Sequence, residues 1–242
     1  RQGQQVWQSL GGQEIGSIWG HGAYLAPDWS ADWLHREAIA VRDLLAAQRG
    51  AGDFDVLDLE RQAAIEARVQ AVFRTNTWNE STGTLELDPL RAQVYDSIAA
   101  HFIGVFANGV DDYAIPEGTL TDIERGQDMA TFFWWTSWAA STERIGSSES
   151  YTQNWPHEPL VGNTPTPGNI FWTGVSVILL LAGIGAMVWY FAARREEELD
   201  PEEAPADDPL LGSSPTPSQR ATLKYFYVVG AMLALQILTG IV

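Results

Sequence analysis

The stretch GGQEIGSIWGHGAYLAP, residues 11–27, combines five glycines with Trp19 and Tyr24 and stands ahead of the first clear helical pattern. Glycine permits left-handed backbone and a close approach of the chain to a bulky group. The stretch has no phosphate-binding spacing, since neither G-x-x-x-x-G-K-[ST] nor a strand-borne G-x-G-x-x-G occurs in it. It therefore predicts a glycine-rich loop that does not bind phosphate.

The residues after this loop predict a mainly α domain with one small hairpin. Leu85 and Leu87 alternate with polar residues after a glycine, which is typical of a short hairpin. A proline at the first helical position and a capping box are helix-start signals. Four helices are expected: from a cap at Asp28 or Ser30 to Gln48, over Leu59–Phe73, from Asp88-Pro89 to Gly109, and after the capping box Thr121-x-x-Glu124.

An uncharged apolar run towards the C-terminal end predicts a transmembrane helix at residues 169–193. The run Ile170–Ala193 is long enough to cross a bilayer at about 1.5 Å per residue. A second uncharged run, Tyr225–Val242, stops with the chain, and we interpret residues 221–242 as the start of the next transmembrane helix. We expect a multi-pass protein of the cell membrane, of which this chain is a piece shortened at both ends.

Basic residues next to these runs predict the orientation. Arg194 and Arg195 close the first run, and Arg220 and Lys224 open the second. The positive-inside rule then places residues 194–220 in the cytoplasm and residues 1–168 on the extracytoplasmic side. Because the segment between the runs is acidic and rich in Pro, Gly and Ser, we expect a flexible loop there.

The acidic character of the chain excludes one class of partner, and its lack of cysteine excludes several cofactors. The net charge is −17, and residues 1–168 hold 10 arginines against 23 aspartates and glutamates, a balance of −13. Such a surface repels phosphates, so we expect no nucleic acid partner. Without cysteine there is no disulfide, thiolate metal site, iron–sulfur cluster or thioether-linked haem.

The four histidines give little sign of a catalytic centre. His21, His35, His101 and His157 form no i, i+4 pair and lie outside the apolar runs, so neither a helical zinc site nor a membrane haem ligand pair is indicated. No G-x-S-x-G context supports a hydrolase. We interpret the four side chains as structural.

The segment YTQNWPHEP, residues 151–159, leaves two interpretations open. Its prolines flank His157 and Glu158, a pair that could relay protons or hold a cation at a membrane surface. Alternatively, the segment is a rigid turn that directs the chain into the bilayer, with Trp155 in the aromatic belt. We favour the turn.

Taken together, four stretches resemble, in the same order, the N-terminal third of the single-subunit, quinol-dependent nitric oxide reductases of the haem-copper oxidase superfamily. They are WQSLGGQEIGSIWGHGAYLAPDWSADWLHREA, TFFWWTSWAA, NWPHEPLVGN and LKYFYVVGAMLALQILTG. The resemblance implies a cytochrome c-like helical domain fused to a catalytic subunit that reduces two NO to N2O and water. It implies quinol as electron donor, and the remaining helical bundle of the same polypeptide as the domain's partner.

The cofactors that this resemblance implies are haem b, haem b3 and a non-haem iron, all bound outside this chain. In the two-subunit relatives a C-x-x-C-H haem run precedes a G-x-G-A-Y-x-A-P motif. Counting back from Tyr24 places the haem cysteines at Gly12 and Ile15 and the haem histidine at Gly16. Because all three positions depart from the motif, the resemblance implies a domain that binds no haem and a fragment that is inactive by itself.

The same relatives suggest a metal site in the loop. There, the matching glycine and tyrosine help to bind a calcium ion that bridges the small domain to haem propionates. By that resemblance, the Gly22 carbonyl and Tyr24 are candidate calcium ligands. It is equally open that the glycines simply permit a tight turn and that Tyr24 packs.

A function of a different class would share this topology, namely an extracytoplasmic sensing or interaction domain of a membrane receptor. Sequence beyond Val242 would discriminate the two. Apolar helices that carry histidine favour the reductase, and a cytoplasmic signalling helix favours the receptor.

Overall fold

The computed structural model describes the backbone of residues 1–198 and 217–239. The chain divides into two compact units, Arg1–Thr166 and Pro167–Val242. The part of the chain that is described is mainly helical, as the sequence predicts. The predicted acidic loop lies outside the described residues over 199–216.

The first unit holds five α-helices and two short hairpins within its described residues. Its antiparallel hairpins pair Ser17 with Gly22 and Trp78 with Leu85. In chain order the elements are α1 Gln2–Ser9, β1 Ser17–Ile18, β2 His21–Gly22, α2 Trp29–Gln48, α3 Leu59–Arg74, β3 Trp78–Asn79, β4 Thr84–Leu85, α4 Pro89–Asn108 and α5 Ile123–Ser141.

Four aspartates start the four long helices of this unit. In each case a side-chain oxygen accepts a backbone N–H of the first turn, which satisfies a donor that has no partner within the helix. The predicted starts at Asp28 and at Asp88-Pro89 are confirmed, and α3 begins at Leu59 as expected. The predicted capping box at Thr121 is wrong by one residue, because the cap of α5 is Asp122, whose carboxylate accepts from the Arg125 N–H.

The centre of the first unit is a stack of aromatic side chains contributed by α2, α4 and α5. Trp33 stacks on Phe102 with 5.0 Å between ring centroids, and Trp29 stacks on Phe133 with 5.5 Å. These four side chains and Phe106 are fully buried. Offset and edge-on ring contacts of this kind add to the hydrophobic stabilisation of the buried area.

A buried ion pair crosses this aromatic core. The Arg91 guanidinium of α4 donates to both oxygens of Glu37 on α2, at 2.7 and 2.8 Å, and the side chains are 3% and 1% exposed. The Trp33 indole N–H also donates to Glu37, and the guanidinium lies 4.5 Å from the Phe73 ring centroid. Burial of these charges is tolerated because the bidentate hydrogen bond and the Trp33 indole N–H compensate for the lost hydration.

The first helix, α1, was not predicted, because its sequence QGQQVWQS has few apolar residues. It nevertheless buries Gly3, Val6 and Trp7. A Cβ at Gly3 would lie 1.9 Å from the Asp128 carbonyl oxygen of α5. The two helices therefore cross in backbone contact, which a larger residue at position 3 would prevent.

The described residues of the second unit form two further helices, α6 Pro167–Glu198 and α7 Pro217–Thr239. Helical backbone thus extends into residues 194–198 and 217–220, at both ends of the predicted loop. Among the described residues one helix is long and apolar enough to cross a membrane, over Pro167–Phe191, with a mean hydropathy of 2.1.

Candidate functional site

The glycine-rich stretch forms a tight hairpin. Strands β1 and β2 are joined by Trp19 and Gly20, whose φ angles are +53° and +78°. Two consecutive residues with positive φ are what a type I′ two-residue turn requires, and Asn or Gly is the usual choice there. The sequence predicted only a loop, because a tryptophan at the first of these positions gives no hairpin signal.

One carboxylate fixes this hairpin to the start of α2. The Asp28 side chain accepts from the Ser17 hydroxyl and from the Gly20 N–H, both at 2.7 Å, while it also caps the helix through the Ala31 N–H. The Ser30 hydroxyl donates to the same carboxylate and accepts from the Trp19 N–H. Asp28 is therefore both a helix cap and the clamp of the hairpin.

The haem-histidine position inferred from the resemblance, Gly16, lies against the aromatic core. The Trp29 indole N–H donates to the Ile15 carbonyl at 3.1 Å. A Cβ at Gly16 would lie 2.3 Å from Trp29 Nε1 and 2.9 Å from the Pro27 carbonyl oxygen, and Gly16 has a φ of +129°. This backbone thus has no room for any side chain at position 16, a histidine included.

The candidate calcium ligands Gly22 and Tyr24 have different surroundings. A Cβ at Gly22 would lie 2.3 Å from the Gly16 carbonyl oxygen, and its φ is +149°, so close packing by itself requires glycine there. The Tyr24 side chain is 95% exposed, and its hydroxyl has no hydrogen-bond partner among the described residues. Packing therefore does not explain Tyr24.

The donor chemistry of this pair fits part of a calcium shell. Calcium takes about six to eight oxygen ligands, whereas the candidate pair supplies one carbonyl, from Gly22, and one phenol, from Tyr24. The described residues contain no group of three or more His, Asp or Glu side chains that could hold a metal ion. A calcium ion at Gly22 and Tyr24 would need most of its ligands from outside the described part of the chain.

The histidines have separate surroundings. His21 Nδ1 lies 2.9 Å from the carbonyl of Trp19, within the hairpin itself. Desolvation where the ring packs edge-on against Phe102 lowers the pKa of His101, and the nearby Arg36 charge lowers it further.

The 151–159 segment is a turn in which the two candidate relay residues do not interact. Glu158 is nearly buried, and its carboxylate binds His35 Nδ1 of α2 at 2.7 Å and the Leu160 N–H. His157 Nδ1 lies 3.2 Å from the carbonyl of Asn163 instead. This arrangement favours the turn, which Glu158 fastens to α2.

Sequence reasoning missed three residues that organise the loop, namely Trp19, Asp28 in its role as a clamp, and Trp29. The sequence did indicate Asp28 as a helix cap, but not as the residue that binds the hairpin. No pattern signalled Trp29, because its partners Ile15 and Gly16 lie in a region without periodicity.

We predict that Gly16→Ala lowers the free energy of unfolding by about 2–5 kcal/mol, since the new methyl group overlaps the Trp29 indole and the backbone is strained. The matched control is Gly83→Ala, which has a positive φ of +66° but nothing within 4 Å of the added Cβ and should cost about 1 kcal/mol. Urea unfolding of the chain in detergent, followed by near-UV circular dichroism, measures both. Equal losses in the two variants would show that Gly16 is not held against Trp29.

Comparison with known proteins assigns the first unit. Residues 1–157 match the family of the cytochrome c-like domain of the nitric oxide reductase protein NorB. No curated protein matches the chain. The matched residues include the hairpin, its Asp28 clamp and helices α1 to α5, and the membrane-span helix that follows is consistent with a membrane-associated enzyme. The chain, matched over 157 of its 242 residues, belongs to the NorB cytochrome c-like domain family of the nitric oxide reductases.

Proposed function

We propose that the chain is the N-terminal part of a quinol-dependent nitric oxide reductase. The full enzyme would convert two NO, two electrons and two protons to N2O and water. The observation that carries the proposal is the family match over residues 1–157, followed in the same chain by an apolar helix of membrane-span length. The match also favours the reductase over a receptor domain.

The electron donor is inferred from the haem positions of the domain. A domain that accepts electrons from a soluble cytochrome c needs a redox centre of its own. Gly12 and Ile15 offer no thiols, and Trp29 leaves no space for a ligand side chain at Gly16. These features support quinol as the donor, delivering electrons from the membrane directly to the catalytic bundle.

The role of the domain in this proposal is docking rather than catalysis. Haem b, haem b3 and the non-haem iron would be bound by the remaining bundle of the same polypeptide, and no catalytic residue is assigned within this chain. The fragment by itself is then inactive. Its buried aromatic core and the clamp at Asp28 support a structural role, because they fix the shape of the surface that the domain presents.

The topology is part of the same proposal. Residues 1–168 form the extracytoplasmic domain, residues 169–193 the first transmembrane helix, residues 194–220 a cytoplasmic loop and residues 221–242 the start of the next span. The apolar helix over Pro167–Phe191 and the four basic residues that flank the loop support this arrangement.

A calcium ion held in part by Gly22 and Tyr24 is the second component of the proposal. The Tyr24 hydroxyl is exposed and has no partner among the described residues, which suits a ligand completed by another part of the enzyme. The Gly22 carbonyl would be the neighbouring donor. Neutral oxygens such as these are ligands that calcium accepts in an irregular shell.

The identity of the electron donor is tested by measuring NO consumption by the complete reductase. A reduced quinol analogue should sustain turnover, and reduced soluble cytochrome c should give the rate seen without enzyme, because the domain has no haem to accept its electrons. Oxidation of the added cytochrome, followed by its absorbance, is the parallel readout. Turnover driven by cytochrome c in the absence of quinol would contradict the proposal.

The calcium ligand is tested by Tyr24→Phe in the complete reductase. Loss of one ligand oxygen should lower the calcium retained after dialysis against a weak chelator, measured by elemental analysis, while the domain stays folded. The matched control is Tyr95→Phe, which removes a hydroxyl that is bonded to Thr131 at 2.7 Å and lies on α4. Equal calcium content in the parent and in both variants would show that the Tyr24 hydroxyl is not a ligand.

A further inference from the structure

A cluster of five aromatic residues, here called the aromatic face, surrounds a hollow on the surface of the first unit. Its members come from the first hairpin, the second hairpin, helix α5 and the turn after it. The hollow has a volume of about 350 Å³, and Leu85 and Ala139 complete its lining. The aromatic face consists of Trp19, Trp78, Trp135, Trp138 and Tyr151.

The aromatic face is held in a fixed arrangement. Trp19 keeps a positive φ that tryptophan disfavours, and its indole N–H donates to the Thr136 carbonyl at 2.9 Å. Its ring packs on Trp135 with 5.7 Å between centroids, and Trp138 stacks on Tyr151 with 5.6 Å. A side chain kept in an unfavourable backbone region by several contacts points to a functional demand on its position.

Three members of the aromatic face are exposed to solvent. Trp78, Trp135 and Tyr151 are 43%, 41% and 46% exposed. The indole N–H groups of Trp78 and Trp135 have no hydrogen-bond partner among the residues that the structure describes. Each therefore combines an apolar ring with a free donor, which is the combination that favours tryptophan where hydrocarbon meets polar headgroups.

The charge of the domain limits which kinds of surface can bind the aromatic face. No residue that lines the hollow is charged, although residues 1–168 carry a balance of −13. A second copy of the domain or an anionic surface would be repelled by the net negative charge of the domain. A neutral, zwitterionic surface can approach the aromatic face without that cost.

A lipid bilayer is the zwitterionic surface that the chain itself would bring close to the aromatic face. Helix α6, which begins at Pro167, is long and apolar enough to cross a membrane. It follows the first unit, which ends at Thr166, directly in the chain. A domain joined in this way to a membrane-spanning helix is kept at a high effective concentration next to the bilayer.

We propose that the aromatic face inserts into the headgroup region of a zwitterionic bilayer. In this arrangement the rings of Trp78, Trp135 and Tyr151 lie at the boundary of the hydrocarbon, and the two free indole N–H groups donate to lipid carbonyl or phosphate oxygens. Trp19 packs on the exposed Trp135, and Trp138 stacks on the exposed Tyr151. This contact goes beyond the reductase activity proposed above and does not depend on it.

The test uses the absence of cysteine from the chain, which makes a single introduced cysteine a unique labelling site. Trp135→Cys on the aromatic face and Ala64→Cys on the exposed side of α3 are each labelled with bimane, in the full 242-residue chain in phosphatidylcholine nanodiscs. Leu85→Cys is a second labelled position at the hollow that leaves every aromatic side chain intact. Lipids with a nitroxide on the headgroup then serve as the quencher.

We expect several-fold stronger quenching at positions 135 and 85 than at position 64. Partial replacement of phosphatidylcholine by phosphatidylglycerol should weaken the quenching, because the acidic domain is repelled from an anionic surface. Equal quenching at the three positions would overturn the proposal. So would labels at 135 and 85 that escape the lipid quencher here but become shielded from iodide in the complete reductase, since that result would assign the aromatic face to a protein contact.

Discussion

The contact between Trp29 and the loop in front of it is the constraint on which the rest of the first unit depends. The indole is fully buried, packs on Phe102, Phe106 and Phe133, and donates its N–H to the Ile15 carbonyl. Through that bond the core determines the path of the loop, and the close approach at Gly16 follows from it. The loop is thus built against a tryptophan of its own chain, which is the bulky group that its glycines accommodate.

Three charged side chains connect this arrangement to the rest of the first unit. Asp28, one residue before Trp29, clamps the hairpin that carries Trp19 and so places the aromatic face. Glu37 and Arg91 join α2 to α4 with buried charges that satisfy each other. Because burying this pair is costly unless its geometry is kept, it favours one packing of the helices over others. One fixed packing of the helices would suit the docking role that we propose for this domain.

The sequence predicted most of the helices but little of the site. Aspartate caps and a helix-initiating proline marked α2 and α4 because those signals are local. Helix α1 was not predicted, because its few apolar residues stand among glutamines. The first hairpin was not predicted either, because Trp19 occupies a turn position that normally takes Asn or Gly. The Glu37–Arg91 pair joins residues 54 apart in the chain, which no periodicity can reveal. Gly22 was a candidate ligand, yet its close packing on Gly16 already accounts for a glycine there.

We infer that the first unit binds no haem, because Trp29 lies against Ile15 and Gly16, where the resemblance places haem-binding positions. The most direct measurement is optical titration of the purified 242-residue chain in detergent with haem. We expect the spectrum of free haem at every ratio, with no saturable Soret band from a bound species and unchanged near-UV circular dichroism of the aromatic side chains. A Soret band that saturates at one haem per chain would contradict it.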